Sequence, residues 1–178
     1  MTSATMDRTH ADVEKSPSAW SRRLPVLVLA LIGCALSVYL TLYQWHVTSS
    51  VWDPFFGAGS SEAVLTSPIS RMLPLPDATL GAVAYLVEAI LTVLGGSDRW
   101  RSRPILVLVY GFVLAALALT SVVLVSIQVL VVHAFCTLCL VSAAISLVNA
   151  WLGHDEVLAA IDSLTSAKSR TIDNRRGR

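Results

Sequence analysis

The chain has 178 residues, 54% of them hydrophobic and 14% charged, against about 45–50% and about 25% in soluble domains. That balance excludes an ordinary water-soluble domain and marks a membrane protein. A formal net charge of +1 points to no nucleic-acid partner, and three cysteines are too few for a disulfide scaffold.

Residues 1–20 are polar and mixed in charge, with no apolar periodicity, and read as a disordered tail. Arg22 and Arg23 precede the uncharged run 24–43, whose roughly 20 residues suffice to cross the hydrocarbon core. It is too long for a signal-peptide core. The connection 44–79 is rich in Ser, Pro, Gly and aromatics, with Trp45, Trp52, Phe55, Phe56 and the apolar Val64, Leu65 and Ile69. A loop of that length and apolarity is expected to pack as a cap. Pro76-Asp77 marks a helix start with Asp77 as candidate N-cap, and a second apolar run, 78–94, ends at Gly95-Gly96. A basic turn, 97–103, leads through Pro104 into a third run, 105–132, and the fourth, 135–152, folds straight back beside it. Residues 153–178 read as a charged tail with a short amphipathic segment over 157–164. The expected fold class is an all-α four-transmembrane-helix bundle with an extracytoplasmic capping loop between helices 1 and 2.

Reactive chemistry is concentrated in His133-Ala134-Phe135-Cys136-Thr137-Leu138-Cys139-Leu140. If Cys136 and Cys139 open a helix, their spacing sets both sulfurs on one face. Exposed N–H groups at the helix start then favour a thiolate. The reading is a redox-active dithiol. Two inert buried cysteines are the plain alternative. A zinc or iron–sulfur centre would need about four ligands, and only His133 joins the two cysteines nearby, so no metal is expected.

Charge placement sets the topology. Of the 13 Lys and Arg, Arg71 alone falls in the loop 44–79, and the other 12 lie in the two tails and the 97–103 turn. An even number of spans puts those three segments on one side, which the positive-inside rule makes cytoplasmic. Cys136 and Cys139 then lie at the extracytoplasmic edge, where disulfides persist. Cys34, about 15 Å into the first run, is beyond their reach and reads as core packing. A dithiol half in the membrane meets protein thiols from the aqueous side and quinones from the lipid, a pairing that keeps a periplasm oxidising.

The set Trp52-Asp53-Pro54-Phe55-Phe56-Gly57, Val64-Leu65-Thr66-Ser67, Pro76-Asp77-Ala78-Thr79-Leu80-Gly81-Ala82 with Tyr85, and Phe135-Cys136-Thr137-Leu138-Cys139 resembles the vitamin K epoxide reductase family of membrane thiol:quinone oxidoreductases. The resemblance covers roughly 24–152. It implies a four-helix bundle around a quinone pocket at the outer end, capped by the loop. Cys139 would face the quinone, of menaquinone or ubiquinone type, and Cys136 would exchange with the upstream thiol. Asp77 would fall where the family carries a side chain that hydrogen-bonds a quinone oxygen. Tyr85 and Phe135 are further candidates for the quinone site, and an exported thioredoxin-like protein is the expected thiol partner.

Two departures stand out. Where family members carry a pair of relay cysteines in the loop, this chain has Gly59-Ser60-Ser61-Glu62, and where some place a tyrosine four residues beyond the second cysteine, it has Ala143. Plain quinone reduction is therefore the expected chemistry, and a non-catalytic membrane scaffold or partner-binding protein is the alternative. Glu88, ionisable within a span, is a candidate proton source or a structural hydrogen-bonding group in the bundle interior. His133, with Gln128 beside the CxxC, is a candidate to favour a Cys136 thiolate when protonated, or a surface histidine in a turn.

Overall fold

The computed structural model describes residues 16–57, 59–68, 70 and 76–176. Residues 1–15 of the expected tail, Ile69 and the loop stretch 71–75 with Arg71 lie outside the described residues.

Every regular element among the described residues is helical: α1 (Trp20–Gln44), α2 (Ser60–Leu65), α3 (Asp77–Val93), α4 (Arg99–Ser102), α5 (Pro104–Ile127), a π-helical turn (Gln128–Val132) and α6 (Thr137–Arg176). Three stretches are long and apolar enough to cross a membrane: Trp20–Gln44, Pro104–Val132 and Thr137–Ser166. The 17 residues of α3 rise roughly 25 Å, the short end of a span. Helix α1 packs along α3 and α5 along α6, while α1–α6 and α3–α5 contacts close the ring. Leu119 and Trp151 remain exposed, as lipid-facing side chains must, since lipid covers at no cost what water would not.

Small residues permit the closest approaches. A Cβ on Gly33 would lie 2.6 Å from the Tyr85 ring, and one on Gly153 would meet Leu114 and Tyr110. This use of Gly153 explains a difference from expectation. An isolated glycine costs a helix only about 1 kcal/mol, and here it admits the packing of α5, so α6 does not stop at 152 but runs on to Arg176. The segment 157–164 is part of it. At its other end α6 starts at Thr137 rather than 135, and Cys136 holds the preceding position, its C=O accepting from Leu140 N–H at 3.0 Å. Helix α3 likewise begins at Asp77 itself, with Pro76 at the N-cap.

One end of the ring is a buried polar cluster. Arg99 donates through Nε and Nη2 to Glu156 at 2.5 and 2.7 Å and through Nη1 to the carbonyls of Leu91 and Leu94. Arg23 donates to the carbonyls of Thr92, Leu94 and Gly95, so two arginines satisfy the orphan C=O groups at the end of α3. Ser18 donates to Glu156, Ser16 to the Ser97 carbonyl, and Arg22 pairs with Asp155. Residues 16–19 are thus packed rather than part of a free tail, and Glu156 is a buried ion-pair partner rather than a solvated tail charge. Residues 16–23, the 97–103 turn and the 153–156 stretch meet at this end; Cys136 and the described part of the loop after α1 lie at the other.

Candidate functional site

Cys136 and Cys139 form a disulfide with their Cα atoms 5.2 Å apart. Cys136 is fully buried in an apolar cluster with Leu40, Val51, Leu65 and Leu138. Its backbone N–H donates to Gln128 Oε1 at 3.0 Å, and Cys139 N–H donates to Cys136 Sγ at 3.2 Å. Of the helix-start N–H groups expected to favour a thiolate, that of Cys139 reaches the sulfur. Thr137 N–H is instead directed at Asp53 Oδ2, 3.5 Å away.

Asp53 ties the loop to this helix start. Its Oδ1 accepts from Thr137 Oγ1 and the N–H groups of Phe55 and Phe56, and its Oδ2 from Ser61 Oγ at 2.6 Å. Desolvation works to raise its pKa, but the hydrogen bonds from Ser61, Thr137, Phe56 and Phe55 outweigh it and hold the carboxyl well below the usual carboxylate range. A negative charge at the N-terminus of α6 is also favoured by the helix dipole. Ser60, in the stretch where relay cysteines are absent, accepts from Phe135 N–H at 3.2 Å and donates to Phe135 C=O at 2.7 Å. Gly59, at φ 89°, makes the turn into α2 that sets these serines there.

Beside the disulfide lies a cavity of about 540 Å³, within the size range of small-molecule sites. Cys139 is on its wall; Cys136 is not among the lining residues. Asp77 and Tyr85 line it too, together with Leu117, Gln128 and Ala143. Asp77 Oδ1 accepts from Gln44 Nε2 at 2.6 Å, Ser70 Oγ at 2.7 Å and Ala78 N–H at 2.9 Å. The Tyr85 hydroxyl is engaged by Ser142 C=O and Ser146 Oγ, both at 2.6 Å, so the residue presents a tethered ring.

The other sequence candidates stand apart from the wall. Phe135 stacks on Phe56 with ring centroids 5.1 Å apart. His133 is exposed in the turn before the CxxC, at φ 53°. Glu88 is fully buried beyond Tyr85, where Asn149 Nδ2 donates to its Oε1 at 2.6 Å. Cys34 is a free thiol in contact with the Ala82 carbonyl. Sequence reasoning missed the roles of Asp53, Ser60 and Gln44. It also missed Ser142 and Ser146, although their spacing from Cys139 places all three on one helical face.

A sequence model of the vitamin K epoxide reductase family matches residues 24–153. The chain belongs to that family. Members are membrane thiol:quinone oxidoreductases, and the Cys136–Cys139 pair supplies the dithiol such chemistry requires. No curated protein matches the chain. In this vitamin K epoxide reductase family protein the stretch Gly59-Ser60-Ser61-Glu62 holds no cysteine, and Ser60 and Asp53 bond Phe135 and Thr137 on either side of Cys136.

Proposed function

We propose that the protein is a four-span membrane thiol:quinone oxidoreductase in which the Cys136/Cys139 dithiol reduces a lipid-soluble quinone of menaquinone or ubiquinone type. The observation carrying this reading is the position of Cys139, disulfide-linked to Cys136, on the wall of a cavity large enough for a quinone ring. In the reduced protein, two thiols hold the two electrons and two protons that a quinone needs. An S–S bond forms between Cys136 and Cys139, and the two quinone carbonyl oxygens become hydroxyls. Leu117 and Ala143 present apolar surface to the ring, Tyr85 offers its tethered face, and Asp77 offers a carboxylate that accepts from a quinol hydroxyl.

Both termini are cytoplasmic in this proposal, and the CxxC is extracytoplasmic. The support is the positive-inside count together with the meeting of residues 16–23, the 97–103 turn and residues 153–156 at the end away from the disulfide. The loop after α1 serves as the cap. An exported thioredoxin-like dithiol regenerates the pair through a mixed disulfide at Cys136, and because Cys136 is fully buried among Leu40, Val51, Leu65 and Leu138, that exchange requires the loop that carries Val51 and Leu65 to move off it.

The test is a single-turnover assay on purified protein reduced with a dithiol and mixed with menadione or a short-chain ubiquinone. Absorbance reports quinone reduction, and alkylation reports the thiols. Cys139→Ser is expected to abolish reduction and Cys34→Ser to retain it. A folded protein with titratable thiols that reduces neither quinone would overturn the enzyme reading in favour of a non-catalytic scaffold.

A further inference from the structure

We infer that Gln128 is the hydrogen-bond donor to the quinone carbonyl and that it couples the quinone to the cysteine pair. The inference rests on the quinone-cavity reading above and assigns the residue within it that recognises the oxidised substrate. A glutamine near the end of a long apolar helix is costly to bury unless both ends of its amide are used. Gln128 is 2% exposed, and one end is accounted for: Oε1 accepts from Cys136 N–H at 3.0 Å.

That single bond decides the orientation of the amide. A backbone N–H can only donate, so the oxygen must face Cys136 and the NH₂ group must point away from it. Among the described residues Nε2 has no protein acceptor, yet it is not one of the fully enclosed orphan polar atoms, which include Glu88 Oε2 and Asn149 Oδ1. It therefore has open space beside it, and the space that Gln128 lines is the cavity.

A quinone carbonyl accepts and cannot donate, so it needs a donor that the protein has not already committed. Asp77 offers a carboxylate, which accepts. Ser70 Oγ donates to Asp77, and the Tyr85 hydroxyl is committed to α6; Ser37, Ser67, Thr120 and Ser121 also line the cavity, but none of them hydrogen-bonds either cysteine, as Gln128 does. Gln128 has two N–H donors, and its partner Cys136 is bonded to the cavity-lining Cys139. The backbone supports the assignment. Gln128 opens the π-helical turn Gln128–Val132, a distortion found often at functional sites because the widened turn redirects a side chain that a regular α-helix would place elsewhere. As electrons reach the quinone, negative charge grows on the carbonyl oxygen, and a fixed amide donor stabilises it more than the neutral ground state.

The experiment compares wild type with Gln128→Glu and Gln128→Leu, each checked for folding by thermal melting. Glu retains an acceptor for Cys136 N–H and loses the donor when ionised; Leu loses both. Quinone binding is read by quenching of tryptophan fluorescence with menadione, turnover by single-turnover reduction, and the carbonyl stretch of bound menadione by infrared difference spectroscopy. We expect both variants to bind menadione at least ten-fold more weakly and to reduce it at least ten-fold more slowly. The carbonyl band, lowered in wild type, should return towards its unbound position.

Folded variants with wild-type affinity, rate and carbonyl frequency would overturn the inference while leaving the enzyme reading intact. A wild type that binds menadione through Gln128 without reducing it would overturn the enzyme reading and uphold the inference. A wild type that neither binds nor reduces it would overturn both.

Discussion

Glu156→Gln is expected to destabilise the protein by about 3–5 kcal/mol, the cost of removing one partner of a buried ion pair. The side chains of Arg99 and Glu156 are 0% and 4% exposed, and the pair is bidentate, at 2.5 and 2.7 Å. Glutamine preserves the shape but removes the counter-charge, and it presents an NH₂ group where the guanidinium needs a second acceptor. Arg99 cannot escape to solvent, because its Nη1 is held by the carbonyls of Leu91 and Leu94. Glu156 also accepts from Ser18, so the loss should loosen the chain before α1 as well. Equilibrium unfolding in mixed lipid–detergent micelles measures the first effect, and hydrogen exchange over 16–23 measures the second. The double variant Arg99→Met/Glu156→Leu should cost less than the sum of the single changes, since no lone charge then remains buried. A loss below about 1 kcal/mol with unchanged exchange in 16–23 would refute the view that this pair fastens α6 to the ring.

Asp53→Asn should lower stability by roughly 1 kcal/mol at neutral pH, the partial exposure of the site limiting the effect. Alkylation of Cys136 in the reduced protein should become faster. Because folding depresses the Asp53 pKa, its contribution is present above the unfolded value of about 4 and is lost as pH falls below that towards the folded pKa. Wild-type protein should therefore lose loop protection on acidification below about pH 4, and an equal loss in Asp53→Asn would contradict this. Gly33→Ala places a methyl group 2.6 Å from the Tyr85 ring and should cost about 1–3 kcal/mol through overpacking. It should also weaken quinone binding by displacing the cavity wall, so an unchanged melting temperature together with unchanged affinity would exclude the close approach.

Hydropathy made much of this protein legible without coordinates. Uncharged runs of membrane length identified the helices around 24–43 and 105–132, because every backbone group in lipid must be bonded within its own segment. Spacing alone marked Cys136 and Cys139 as a pair: three residues apart at a chain reversal, they lie within disulfide reach. Helix ends were less legible. The fourth apolar run ends at 152 in one dimension, whereas in three Gly153 is the gap that receives Leu114 and Tyr110, so α6 continues. Charge was misleading where it is paired: Arg23, Arg99 and Glu156 look like solvated residues near the ends of apolar runs, yet Arg99 pairs with Glu156 57 residues away and Arg23 with the Gly95 carbonyl 72 residues away.

The site divides the same way. The sequence by itself determined a cysteine pair among apolar runs of membrane length within a recognisable set of motifs, since apolar length and cysteine spacing are local properties that any fold of these helices must respect. Only the tertiary structure decided that Cys139 borders the cavity while Cys136 is buried among Leu40, Val51, Leu65 and Leu138, with Ser60 and Asp53 bonded to its neighbours Phe135 and Thr137. It alone turned the Gln128 amide so that its oxygen holds Cys136. These outcomes depend on hydrogen bonds between segments far apart in the chain, and their donors and acceptors become partners only when packing removes the water that would otherwise satisfy them.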